Sequence, residues 1–434
     1  MMTSFNSYKK RREAIVIGPE SAPGTVATKQ YSYRWLDKGL KPIPGILENE
    51  SAMGSDVKVN DSAIDVWHSE GPLGGKVTED GIGWLATGML NKVTTTTATL
   101  DVPVANTPST ATTGGTLAAA TYYYVLVAIN ASGQTTKSNE VSVVTTGSTS
   151  TTTITWAAIT GATGYRIYRG TSAGAENTYF AVGAVTTFTD TGAAGTGGTP
   201  PVSNTATTSQ NKHVFSRDQT IARRTLSVWD VRPVSTRLYK SCYMDNLTVK
   251  VEVGEKGAWL EATTALKGWK HADVTGVTPA FKVGEKEFTS RQVAVYLADN
   301  VAGLSTGKIK PKSITIQMEE GTTVDHSLGE TNDDPEFDSA PAEVKGSMVI
   351  KYRKTDFEDD YFINKVHALK VVAINGTSKV EWLGTKVRFR ELTDSDGRDD
   401  IVTQEISFYF EADDANSGKD IEMTVTNDVA SYAA

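Results

Sequence analysis

Five histidines, one cysteine and scattered carboxylates are the residues of this chain that could do chemistry, and their spacing argues against it. His68, His213, His271, His326 and His367 lack the short intervals that place two imidazoles on one metal. Cys242 has no second cysteine with which to form a disulfide or a thiolate zinc cluster. Asp325-His326 is a lone pair in an acidic stretch, and no Ser-His-Asp pattern stands out. Gly71-Pro72-Leu73-Gly74-Gly75 is too irregular for a nucleotide-binding loop. The expectation is no catalytic residue, no metal and no cofactor, in a chain that is not an enzyme.

What remains for the polar residues is contact. Residues 313–344 hold nine acidic side chains and no basic one. Asp325, Glu330, Asp333, Asp334, Glu336 and Asp338 fall where no strand pattern shows. That stretch reads as a long loop acting as a contact arm toward a neighbouring chain or ring, against the plainer reading of a solvated acidic loop. Lys9, Lys10, Arg11 and Arg12 form a basic N-terminal arm of complementary charge. Trp156 and Tyr165 read as the core of a small sandwich rather than a sugar-stacking platform, because buried Trp fills such cores.

The elements that must position these groups are mostly strands. Residues 102–208 break from the rest: their only charges are Lys137, Arg166, Arg169, Glu140, Glu176 and Asp190. Strand signals at residues 121–130, 138–145, 151–157, 165–169, 178–185 and 187–190 surround turns at Gly133 and residues 161–164. A two-sheet β-sandwich inserted into a host domain is expected.

Joining residue 101 to 209 restores a β pattern in the host. Residues 56–60 and 63–67 alternate. A helix follows, with Thr78 as its cap, Glu79 and Asp80 in its first turn, and Ile82, Leu85, Met89 and Leu90 on one face. Residues 226–231, 238–244, 247–253 and 259–266 read as strands, with a turn at 253–257. The second half repeats the plan through strands at 313–318 and 346–352. Its helix opens with the capping box Thr355-x-x-Glu358 and turns Phe357, Tyr361 and Phe362 to its buried side. Strands at 369–374, 386–392 and 402–410 follow, with a turn near Asp396-Gly397. Residues 41–101 with 209–270, and residues 281–413, become two halves of similar length. An N-terminal arm (1–40) and a C-terminal tail (414–434) flank them.

The totals narrow the class. A chain of 434 residues holds two to four domains, and a net charge of −8 argues against a protein held on nucleic acid by a broad basic surface. No apolar run reaches the roughly eighteen residues of a membrane span. The basic N-terminus has no apolar stretch behind it and reads as no secretory signal. Synthesis in a reducing cytoplasm fits the single cysteine.

Two families resemble these patterns. Thr155-Trp156, residues 161–169, and residues 122–130 followed by Ser138-Asn139-Glu140-Val141 resemble fibronectin type III and Ig-like modules of phage and bacterial surface proteins. The Trp-bearing strands follow the Tyr-rich pair instead of preceding it, as in a permuted or variant sandwich. The host resembles the tail tube (major tail) proteins of long-tailed bacteriophages. That likeness lies in Pro44-Gly45-Ile46-Leu47-Glu48-Asn49-Glu50-Ser51-Ala52-Met53-Gly54 and residues 74–85. It continues in order through residues 242–249, residues 310–316 and Glu343-Val344-Lys345-Gly346-Ser347.

The second resemblance implies a mainly β fold: duplicated tail-tube β-sandwich or barrel halves, each with a short helix. It implies a virion protein whose rings stack into a tube through which phage DNA passes without specific binding, with the inserted sandwich displayed outside. Two halves per chain imply a homotrimeric ring with pseudo-sixfold symmetry, six chains being the alternative. Its partners are then itself and other tail proteins, with no membrane, in a non-contractile (siphophage) tail made in the bacterial host cytoplasm. The competing reading is a cell-surface or glycan-binding adhesin built of β-sandwich modules.

Overall fold

The computed structural model describes residues 8–51, 56–326, 335–352, 356–395 and 402–433. The chain is mainly β, with several sheets. It divides into two compact units: a body, Met1–Thr95 with His213–Ala434, and an insert, Thr96–Lys212.

The body opens with β1 (Ala14–Pro19), β2 (Tyr31–Tyr33), β3 (Trp35–Lys38), β4 (Lys41–Asn49), β5 (Asp61–Lys76) and helix α1 (Gly81–Met89). After β6 (Lys92–Thr99) come β7 (Ser109–Ala111), β8 (Thr121–Asn130), β9 (Gly133–Gln134), β10 (Val141–Val144) and β11 (Thr151–Thr155). Then follow β12 (Gly164–Gly170), β13 (Thr178–Gly183), β14 (Thr187–Asp190), β15 (Thr196–Gly197) and β16 (Thr207–Ser216). The body resumes with β17 (Leu226–Val231), β18 (Thr236–Met244), β19 (Asn246–Glu252), β20 (Glu261–Gly268) and β21 (Ala272–Val274). Next are β22 (Val293–Ala298), β23 (Lys308–Ile309), β24 (Ser313–Glu319), β25 (Thr322–Asp325), β26 (Glu336–Ser339) and β27 (Glu343–Lys351). Helix α2 (Asp356–Phe362), β28 (His367–Asn375), β29 (Ser378–Asp394), β30 (Thr403–Phe410) and β31 (Glu422–Asn427) complete it.

One pairing pattern occurs twice in the body. β1 lies on β17 as β22 lies on β28, with Ile17 opposite Val228 and Leu297 opposite Leu369. β17 pairs with β18 as β28 pairs with β29, down to the same slip of register. That slip falls between Leu226 and Val228 in the first and between His367 and Leu369 in the second. β5 runs beside β20 with Lys76 opposite Glu261, and β27 beside β30 with Lys351 opposite Thr403. A helix follows β5 and β27 in turn, and β21 on β18 matches β31 on β29.

The two ladders form one sheet, because β19 of the first pairs along its whole length with β24 of the second. Alternate residues of these strands turn inward, as the two-residue repeat of a half-buried strand requires. Tyr239, Cys242, Met244 and Leu266 of the first ladder share one core with Met348, Trp382, Phe389 and Phe408 of the second.

Several elements differ from those the sequence led us to expect. Residues 14–38, read as part of an arm, form β1 to β3, and Ile15, Val16 and Ile17 are buried because β1 sits between β17 and β2. Residues 56–60 form no strand. The ladder starts where Asn60 N–H donates to Asn49 O and Asp61 comes opposite Asn49. The expected tail holds β31, and Ile421, Met423, Val425 and Tyr432 are core.

Thr78 does serve α1, its Oγ1 accepting Gly81 N–H at 3.0 Å. Glu79 and Asp80 precede the helix instead of lying in its first turn, and all nine of its residues are buried, not one face. Gly83 allows that depth, since a Cβ there would overlap the Tyr432 ring. On α2, Glu358 accepts from Gln404 Nε2 at 3.4 Å, while Thr355 and the Asp396-Gly397 turn lie outside the described residues. Phe357 and Tyr361 pack on the core, but Phe362 is 78% exposed because it ends the helix on its open side.

The insert is a sandwich. One sheet runs β10-β8-β12-β13-β15 with β9 beside β8, and the other runs β14-β11-β7. Tyr122, Tyr124, Leu126 and Ile167 of the first face Ile154 of the second in one core. Trp156 is buried there edge-on to Tyr165, ring centres 5.2 Å apart, and Tyr165 Oη accepts Ile159 N–H at 2.8 Å. Asp190 on β14 ties the sheets by accepting from Tyr124 and Arg169, both at 2.9 Å.

Candidate assembly surfaces

Three features of the body leave polar or apolar groups without an internal task. The first is the β4–β5 hairpin. Beyond a register slip at Gly45 and Ile46 its strands run out together, with Ile46 opposite Ile64 and Leu47 opposite Ala63. Ile46, Leu47 and Ile64 are each more than half exposed. Paired β-branched residues hold a two-stranded arm, yet an exposed apolar arm of this kind marks a contact site. The sequence signal for this arm is the apolar run Pro44-Gly45-Ile46-Leu47 beside Glu48.

The second is the acidic segment, which is not a structureless loop. β25 and β26 pair as a ribbon, with Asp325 opposite Glu336 and Thr323 opposite Asp338. These four residues share one face and are exposed. Between them stand Val324 and Phe337, and Phe337 packs on Tyr243 at 5.2 Å between ring centres. The root is fastened to the body: Trp269 Nε1 donates to Pro335 O at 3.0 Å, and Arg223 Nη1 to Thr322 Oγ1 at 3.1 Å. Directly opposed carboxylates repel, so this face favours a cationic neighbour. Glu330, Asp333 and Asp334 lie outside the described residues.

The third is the basic N-terminus. Lys10–Arg12 make a single 3-10 turn closed by Arg12 N–H on Lys9 O at 2.9 Å, with Lys9 through Arg12 exposed. Among the described residues no ion pair joins this cluster to the acidic ribbon of the same chain.

Two of the histidines pack inside the body. His213 sits edge-on to Tyr432, and His367 stacks on Phe389 with Nε2 3.4 Å from Asp360. Burial holds both imidazoles below their ordinary pKa. Among the described residues no group of three or more His, Cys, Asp or Glu is placed to hold a metal ion. A cleft of about 1150 Å³ is lined by charges of both signs that pair with one another: Arg217 with Asp420, Arg223 with Glu320, Lys92 with Asp218. No family model matches the chain, and no curated protein matches it. No helix among the described residues is long and apolar enough to cross a membrane.

Proposed function

We propose that this chain is the subunit of a phage tail tube, a structural virion protein that closes into rings and stacks them around passing DNA. The repeated ladder carries this reading. A chain that already joins two domains edge to edge closes a ring by repeating that join, and three chains supply six domains. Each ladder also extends a hairpin, β4–β5 in one and β25–β26 in the other, of the kind that stacking between rings needs. A net charge of −8 suits a conduit that must not retain phosphates.

The insert is then a fibronectin-like ornament. Its order β10-β8-β12 corresponds to strands G, F and C of an Ig-type sandwich, and β7-β11-β14 to A, B and E. The F and G counterparts come before B in the chain, which is a permutation. Trp156 and Tyr165 are core, so they give the adhesin alternative no sugar platform.

Negative-stain microscopy of the purified protein tests the proposal. Hollow filaments with threefold rings are expected. Single copies at high concentration, with other tail proteins present, would overturn it. A variant lacking residues 102–208 is expected to form the same filaments, since the ornament stands outside the wall.

A further inference from the structure

The join inside one chain shows how two chains meet. Across β19 and β24, Val253 N–H donates to Lys312 O at 2.8 Å and Glu320 N–H to Asp245 O at 3.0 Å. Between these ends Leu247 lies opposite Met318 and Thr248 opposite Gln317.

The repeated register locates the counterparts of both strands. Ile314 and Met318 stand opposite Met348 and Val344 as Lys38 and Pro42 stand opposite Leu73 and Ser69, so residues 37–43 correspond to β24. Met244 and Thr248 stand opposite Leu266 and Thr263 as Phe389 and Thr393 stand opposite Phe408 and Glu405. Residues 391–395 therefore correspond to β19. Neither counterpart has its second neighbour. Among the described residues β3 and β4 pair with β5 alone, and residues 388–394 with β30 alone.

We propose that residues 37–43 of one copy add to residues 391–395 of the next, in the register that β24 takes on β19. Lys41 then lies opposite Thr393, Pro42 opposite Leu392, and Leu40 opposite Asp394. This deepens the tube reading and rests on it only in requiring a closed ring.

The hydrogen-bonding groups of the two edges fit one another better than they fit themselves. Gly39 N–H donates to Pro72 O at 2.8 Å, so the backbone of residues 40, 42 and 44 faces outward, and two of these are prolines. That edge offers three carbonyls, of which Leu40 O also accepts from the Tyr239 hydroxyl at 3.2 Å, and one N–H, so two such edges cannot satisfy each other. On the other side Ser395 N–H donates to Thr403 O at 2.8 Å, which turns Leu392 and Asp394 outward with both donors and acceptors. The N–H groups of Leu392 and Asp394 thus meet the carbonyls of Pro42 and Leu40. Unlike edges join head to tail, and a heterologous join closes into a ring when its rotation allows. The side chains agree, since Lys41 comes diagonal to Glu391 and neither is ion-paired within the described chain.

Disulfide trapping in the full-length protein tests the join. Lys41→Cys with Thr393→Cys, and Ile43→Cys with Glu391→Cys, place cysteines at two expected non-hydrogen-bonded positions, where Cα separations near 4.5 Å suit a disulfide. Thr248→Cys with Gln317→Cys is the equivalent pair within one chain, and the native Cys242 is buried. Oxidation of either interchain pair is expected to give covalent oligomers that end at the ring number. Lys41→Cys alone stays single, and the intrachain control loses two thiols without gaining mass. An interchain pair that stays unlinked while the control closes overturns the join, as does self-linking of Lys41→Cys. Microscopy of the same sample separates the two readings: rings without the bond leave the tube standing, and single copies without it remove both.

Discussion

Glu20 accepts the backbone N–H of Ser241 at 3.0 Å, and Ser241 holds a left-handed φ of 48° to reach it. The carboxylate is buried and also accepts from Thr225 and Ser227 hydroxyls, both at 2.7 Å. With Gly24 N–H at 3.2 Å, four converging donors replace the water it lost, so removing it strands them all. Glu20→Ala is expected to cost about 3 kcal/mol in urea unfolding. Ser241→Gly keeps the N–H and relieves the backbone, gaining up to about 1 kcal/mol. A loss of stability in the glycine variant would remove the strain argument.

Gly83 and Tyr432 make the second pair to test. The Tyr432 hydroxyl donates to Asp80 O at 2.9 Å while its ring covers Gly83 and lies 5.0 Å from the Trp84 ring centre. Gly83→Ala is expected to lower stability by about 2 kcal/mol through overpacking. Tyr432→Ala leaves a cavity and costs about 3 kcal/mol or more. In the double variant the alanine enters the space the ring leaves, so the two losses add to less than their sum. Full additivity would show that they do not touch.

Asp80 gives the body a pH dependence of known sign. Burial pushes its carboxyl up to about 6 from an ordinary 3.8, against the pull of Lys282 at 3.0 Å. A folded value above the unfolded one favours the protonated form. The contribution is therefore complete below about pH 4 and is lost as pH rises through about 6, amounting to at most about 3 kcal/mol. Urea midpoints at pH 4 and pH 6.5 check it. The wild type is expected to lose stability relative to Asp80→Asn over that interval, and parallel profiles would refute the assignment.

Ile46→Asp with Ile64→Asp places two carboxylates on the exposed part of the β4–β5 arm, outside the core. Surface changes of this kind move stability by less than about 0.5 kcal/mol. Rings are expected to form and stacked filaments to fail, read by microscopy beside an unchanged melting temperature. Normal filaments would free the arm from any role in stacking.

How much of this was legible in the sequence depended on local signals. Strands at Thr121–Asn130 and Thr187–Asp190 fall where β-branched and aromatic runs end at Asn or Asp, and Leu226–Val231 where such a run stops ahead of Pro233. β1 escaped notice because all six of its residues are buried, which erases alternation, and its partner β17 lies more than two hundred positions away. β25 and β26 were masked by their exposed face. Only two apolar residues, Val324 and Phe337, turn toward the body, too few to show a period beside six carboxylates. The whole of α1 is buried because Gly83 and Gly88 let Tyr432 and Met244 close on it, a tertiary fact that no helical periodicity records. Of the residues proposed for contact, Asp325, Glu336 and Asp338 stand out in the sequence by charge alone. The apolar pair Ile46 and Ile64 needed the register to bring it together.

The placement of the insert between α1 and β17 also orders events during synthesis. Ile17 cannot meet Val228, nor Glu20 meet Ser241, until everything between them has left the ribosome. Ladders that pair across such separations close slowly. The insert meanwhile has its own sheets and core, all drawn from residues already emerged, and can complete them first. A nascent chain halted before residue 226 thus carries a finished sandwich on an unfinished body.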